Sequence, residues 1–94
     1  MYLISYNSNS NFQNLRIANE IKQKYSQWAI LSSNTFIIIS DDNVVAVRDC
    51  LQSHIIGGDK LFVTRVTSPA AWTGLPKEVS DWIINTYNRE KNKD

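Results

Sequence analysis

Three short stretches of this chain carry residue types and spacings that could do chemistry. Tyr6-Asn7-Ser8 closes an N-terminal apolar run, YLISY, and opens a cluster of Asn and Ser. The end of a strand running into a polar turn is a frequent seat for a reacting group, because function concentrates on loops held by a rigid scaffold. Asp41-Asp42 is a carboxylate pair of the kind that binds metal or moves protons. Cys50 and His54 lie four residues apart, which places both on one face of a helix, where a thiol and an imidazole can act as nucleophile and base.

Each stretch also has a plainer role. Mg²⁺ is a hard cation held by carboxylates and water, so the neutral amide of Asn7 is a poor ligand, whereas Asn readily closes a turn with its own side chain. Asp41 and Asp42 stand just before a helical pattern, and Asp is among the best helix N-caps. Cys50 and His54 flank an apolar stripe, and the chain has no other Cys or His to complete a set of three or four metal ligands. The sequence therefore predicts no catalytic residue, no metal site and no cofactor.

Arg65 is a different case. It sits in an apolar strand pattern in phase with Leu61 and Val63, where an unpaired buried charge would be expensive. It must reach a sheet edge, a carboxylate or a bound anion.

These residues are positioned by seven predicted elements. Residues 2–6 alternate, with Tyr2, Ile4 and Tyr6 on one side and Leu3 and Ser5 on the other. Ser10 with Gln13 three residues on reads as a capping box. Leu15, Ala18, Ile21 and Tyr25 then recur at helical spacing, to an end near Gln27. Trp28 to Leu31 and Thr35 to Ile39 read as strands around the turn Ser32-Ser33-Asn34. Val44, Val47, Leu51 and Ile55 form the stripe of a second helix, with Gly57-Gly58 as its stop. Leu61 to Thr67 is a fourth strand. Pro76 opens a third helix bearing Val79, Trp82, Ile83 and Tyr87, and the charged tail from Arg89 is expected to fray.

Two strand–helix–strand units around a hairpin give the ferredoxin-like arrangement, so the predicted class is α+β: a βαββαβ sandwich with an appended C-terminal helix. One domain spans 1–94, with a core over 1–67, a linker over 68–75 and the last helix at about 76–88.

Composition narrows the function classes. The chain has 94 residues, 43% hydrophobic and 20% charged, as expected of one folded domain rather than a disordered segment. A net charge of +1 and a pI near 7.9 are not those of a dedicated polyanion binder. A single cysteine excludes an internal disulfide. No apolar run approaches the roughly 18 residues of a membrane span, and the expected location is cytoplasmic, away from membranes.

Apolar surface is in surplus. Phe36 to Ile39 is apolar at every position, the mark of a strand buried on both faces, yet two helices cover only one side of a four-stranded sheet. The segment from Ser68 and a second subunit are the expected cover, with Ile37, Ile39 and Trp72 as interface candidates in a homodimer.

The runs YLISY-N, WAILSSNTFII, DKLFV and AWTGL, spread from Met1 to about Ile84, resemble the SinR-like family. That family is similar to the small CRISPR-associated Cas-two proteins and more loosely to VapD-like toxins. The resemblance implies a ferredoxin-like protomer that pairs through its sheet, in CRISPR or phage-defence biology. Nuclease-active Cas-two proteins carry an aspartate after a tyrosine at the end of the first strand, which binds a divalent metal near the dimer axis. Here Tyr6 is followed by Asn7, so the matching position is emptied of its carboxylate. Trp72, in the Pro/Gly linker, is implied to wrap the partner subunit.

The expected function is thus a non-catalytic homodimeric binding or assembly module for a nucleic acid, a nucleotide or a protein partner. Its cleft would be lined by Ser5, Asn7 and Arg65. Two alternatives remain: a metal-dependent endoribonuclease of toxin type using acids placed elsewhere, and a small phage or regulatory protein that sequesters a ligand in its dimer cleft.

Overall fold

The structure, a computed structural model, describes residues 1–91. The element order is β1 (Tyr2–Asn7), α1 (Asn11–Lys24), β2 (Trp28–Ser32), β3 (Thr35–Ile38), α2 (Val44–Gln52), β4 (Lys60–Arg65) and α3 (Lys77–Lys91). The strands form one antiparallel sheet in the order β2-β3-β1-β4. This is the ferredoxin-like α+β arrangement with an added C-terminal helix. The charged tail is helical as far as Lys91, and the remainder of the expected frayed segment, 92–94, lies outside the described residues.

Period-two alternation sorts β1 between the two faces of the sheet. Ile4 and Tyr6 point to the side of α1 and α2 and are buried with Phe36, Ile38, Ile17, Ile21, Val47 and Leu51. Phe36 organises this core: Tyr6 stacks on it at 6.4 Å and Trp28 meets it edge-on at 5.9 Å. Lys22 of α1 lies over the Trp28 ring at 5.5 Å, a cation–π contact that closes the rim. Trp28 is therefore a core aromatic.

The helices depart from the sequence reading in their phase and caps. In α1 the inward row is Gln13, Ile17 and Ile21 with Ala18 beside them, while Leu15 is 63% exposed. The Ser10 hydroxyl accepts the Gln13 N–H as expected, but the Gln13 side chain reaches instead to the His54 carbonyl and ties α1 to the end of α2. The α2 cap is Asn43, whose Oδ1 accepts the Ala46 N–H at 2.9 Å; Asp41 and Asp42 lie too early in the chain to serve. Gly57-Gly58 does not stop α2, which ends at Gln52. Gly57, at φ +60°, turns the chain toward β4 in the left-handed conformation that glycine adopts without strain.

On the opposite face, α3 lies across part of the sheet. Met1, Ile37 and Ile83 form a second buried cluster, with Leu31, Ile39, Val66, Leu75, Val79, Trp82 and Tyr87 packed around it. Ile37, at 3% exposure, and the partly buried Ile39 are thus covered by the chain's own third helix. The surplus apolar strand needs no second subunit at these two positions.

Candidate functional site

The expected cleft residues divide between the two faces. β1 and β4 pair with Tyr2 opposite Arg65, Leu3 opposite Thr64, Ser5 opposite Phe62 and Asn7 opposite Lys60. Directly opposed residues share a face. Ser5 and Asn7 therefore stand on the α3 side of the sheet, as their alternation implies. Arg65 shares the face of Tyr2, away from them. Its in-phase partners Leu61 and Val63 pack against the main core, and Arg65 escapes burial because it ends the strand. There it borders a hollow with Tyr2, Asp41 and Glu90 and, at its other side, a groove beneath α3. A cleft uniting Ser5, Asn7 and Arg65 does not form within this chain.

The turn after β1 is held by a residue the sequence reading missed. Asn14 Oδ1 accepts the Ser8 N–H at 2.9 Å and Asn14 Nδ2 donates to the Ser8 carbonyl at 3.1 Å. Asn7 is exposed and is not the residue that closes this turn. The signal was present in the sequence: an Asn in the first turn of α1, six residues after Ser8, can reach back over the loop.

Cys50 lies in α2, but His54 falls beyond the helix's C-cap, Ser53, so the two do not share a helix face; each lies against the α1 side, Cys50 by Tyr25 and His54 by Glu20. His54 Nε2 lies 3.6 Å from Glu20 Oε2. The Tyr25 hydroxyl is fully buried and has no hydrogen-bond partner among the described residues. Burial, then the adjacent Cys50 thiol, and lastly Asp42 and Glu20 push the Tyr25 pKa well above its ordinary value. These contacts lie within a helix–helix seam. Among the described residues no group of three His, Cys, Asp or Glu side chains is arranged to hold a metal ion, and no helix is long and apolar enough to cross a membrane.

Among the described residues nothing covers the β1/β4 half of the α3-side face around Phe62. Phe62, in the middle of β4, is 65% exposed and stands across from Ser5. Its neighbours on that face, Leu3 and Thr64, are partly exposed. Along the same row Val66 enters a groove of about 610 Å³ that runs beneath α3, walled by Pro69, Trp72, Ile84 and Tyr87. Tyr87 Oη donates to the Thr67 carbonyl and Trp72 Nε1 donates to Ser80 Oγ, at 3.1 and 3.0 Å. Trp72 is thereby fixed to its own chain's α3, with the residue 37% exposed. Phe62 was not singled out in the sequence, because an aromatic in an apolar strand reads as core until the extent of α3 is known.

No family model, curated protein or solved structure matches this chain.

Proposed function

We propose that this chain is a non-catalytic homodimeric binding or assembly module whose self-contact is the uncovered half of the sheet around Phe62. The observation that supports this reading is a large aromatic side chain, 65% exposed, on an otherwise ordered sheet face. Surface apolar residues scattered singly need no explanation, but Phe62 shares its face with the partly exposed Leu3 and, further along the same row, with Val66, which enters the groove walled by Trp72 and Ile84. A two-fold contact is self-complementary, so one such patch supplies both halves of an interface. Ser5, Thr64 and Asn7 give the patch a polar rim able to donate and accept hydrogen bonds.

Sedimentation equilibrium tests the reading. The wild type is expected at about twice 10.8 kDa at micromolar concentration, with an interface of at least roughly 1,000 Å². Phe62→Lys is expected to give a monomer with an unchanged far-UV spectrum. A wild type that stays monomeric at tens of micromolar overturns the proposal.

A further inference from the structure

The two edges of the sheet differ in a way that bears on partners. β2 carries a register irregularity between Ile30 and Ser32, and an irregular edge bends away from a strand that would add to it. β4 keeps six residues in unbroken register with β1 and contains no proline. One hydrogen bond fixes the direction of its backbone groups. The Val66 N–H donates to the Met1 carbonyl at 2.9 Å, and antiparallel pairs alternate between bonded and non-bonded positions. Thr64, Phe62 and Lys60 therefore bond to β1, while Leu61, Val63 and Arg65 turn their N–H and C=O groups outward. Among the described residues these outward groups have no backbone partner in another segment.

A shallow groove follows this edge. Val44, Val45 and Arg48 of α2 face Leu61 and Val63 across a depression of about 220 Å³, and Ile55 extends it past Leu61 through an adjoining depression of about 370 Å³. Basic side chains mark its ends, although Asp41 and Glu90 share a hollow with Arg65. Lys60 and Arg65 mark the two ends of β4, both exposed, with no ion-pair partner among the described residues. Arg48 pairs only with its neighbour Asp49 on the open surface, a contact worth little in water.

We propose that the β4 edge docks an extended acidic segment of another protein, which adds to the sheet as a fifth strand. Its backbone bonds to Leu61, Val63 and Arg65. Its side chains opposite Leu61 and Val63 are apolar and enter the α2 groove, and carboxylates face Arg65 and Lys60 at the ends. The inference rests on the reading of the chain as a binding module and uses the outward edge of β4 rather than its α3-side face, the two surfaces meeting at Phe62, which also borders the α2 depression. A second copy suits the edge less well. With Val63 facing Val63 of that copy, Arg65 falls across from Leu61 and next to Lys60 of the other strand. Two cations then gather at each end, with no carboxylate from either strand.

The probe is a blocked hexapeptide, Glu-Thr-Val-Thr-Val-Glu, titrated into ¹⁵N-labelled protein. Saturable shifts are expected at the amides of Leu61, Val63 and Arg65 and at Val44 and Val45, with slowed exchange of the outward amides. A Lys-ended peptide is expected to bind roughly tenfold more weakly, since each cross-strand charge pair is worth a few-fold. Lys60→Glu combined with Arg65→Glu alters only exposed side chains and should invert that preference. Val63→Pro removes one outward donor and should abolish binding. Unmoved edge amides, equal binding of both peptides, or slowed edge exchange that grows with protein concentration alone would overturn the proposal. Sedimentation of the same samples separates the two readings. A dimer that ignores the peptide sinks the edge site only, and a monomer that binds it at the edge sinks only the self-contact.

Discussion

On one face of the sheet Ile4, Tyr6, Phe36 and Ile38 lie under two helices and are all buried. On the other face a single helix, α3, buries Met1 and Ile37 but leaves Phe62 in solvent. The strands are the same, but the outer face carries Ser5, Asn7, Thr35, Lys60 and Thr64 where the inner face is almost wholly apolar, so the two faces differ both in composition and in the number of covering elements. A four-stranded sheet is wider than one helix, whose diameter is about 10–12 Å against strand spacings near 4.8 Å. The face with two helices is where stability resides, and the face with one is where surface is left for a partner.

The sharpest break of this contrast uses two neighbours in one strand. Ile38 is wholly buried on the two-helix face and Ile37 lies beneath α3. Buried Ile→Ala changes cost about 2–5 kcal/mol, the spread reflecting how far the surroundings can collapse. Ile38→Ala is expected at the upper end, because α1, α2 and the strands fix its cavity from all sides. Ile37→Ala is expected near the lower end, because α3 can settle into the space. Equal shifts in urea midpoint would show that α3 is held as rigidly as the inner helices.

A smaller effect comes from the Tyr25 hydroxyl, the one buried side-chain oxygen or nitrogen among the described residues that lacks a hydrogen-bond partner. An unsatisfied buried hydroxyl costs about 1–3 kcal/mol, so Tyr25→Phe should be neutral or stabilising by about 1–2 kcal/mol at pH 7. The pH dependence carries the same sign. Burial raises the folded pKa of Tyr25 above the ordinary 10.0, so the folded state holds its proton more tightly than the unfolded chain. That contribution is complete below about pH 10 and is lost as pH climbs from there toward the folded value. Tyr6 is also raised by burial and leaves a residual slope in the variant. The test is the alkaline limb of the stability curve: it should be shallower in Tyr25→Phe than in wild type, and identical limbs would mean the phenol is solvated when folded.

Much of this arrangement is legible in the chain, and what escapes has physical reasons. The alternation of Tyr2, Ile4 and Tyr6 gives the inner face of β1 directly, because period two leaves no other choice. Helix phase is less constrained. Leu15 and Ile17 are both apolar, and nothing local says that Phe12 and Leu15 would face solvent. The α2 cap falls on Asn43 because only the residue immediately before the first turn can reach its free N–H groups. Arg65 was placed correctly in phase with Leu61 and Val63. Its separation from Ser5 and Asn7 follows from the β1–β4 register, which is a long-range property. The surplus of apolar residues in β3 correctly implied a second cover, but counting apolar residues cannot distinguish an appended helix from another chain.

The smallest expected effect concerns the turn that joins the two faces, where the contrast reduces to two asparagines. Asn14 belongs to α1 on the inner side and makes a reciprocal pair of hydrogen bonds with the Ser8 backbone, both partly shielded from water. Asn7 ends β1 on the outer side and is exposed. A net intramolecular hydrogen bond is worth about 0.5–1.5 kcal/mol, and the two bonds of Asn14 act on one short loop, so they do not add fully. Asn14→Ala should therefore cost about 1 kcal/mol. Asn7→Ala should stay within about 0.5 kcal/mol, as surface substitutions generally do, so that any effect it has on self-association is read without a stability correction. Thermal unfolding of the two variants under conditions that keep the protein monomeric makes the comparison. A loss at Asn7 equal to that at Asn14 would mean that the outer end of β1 is a structural element in its own right.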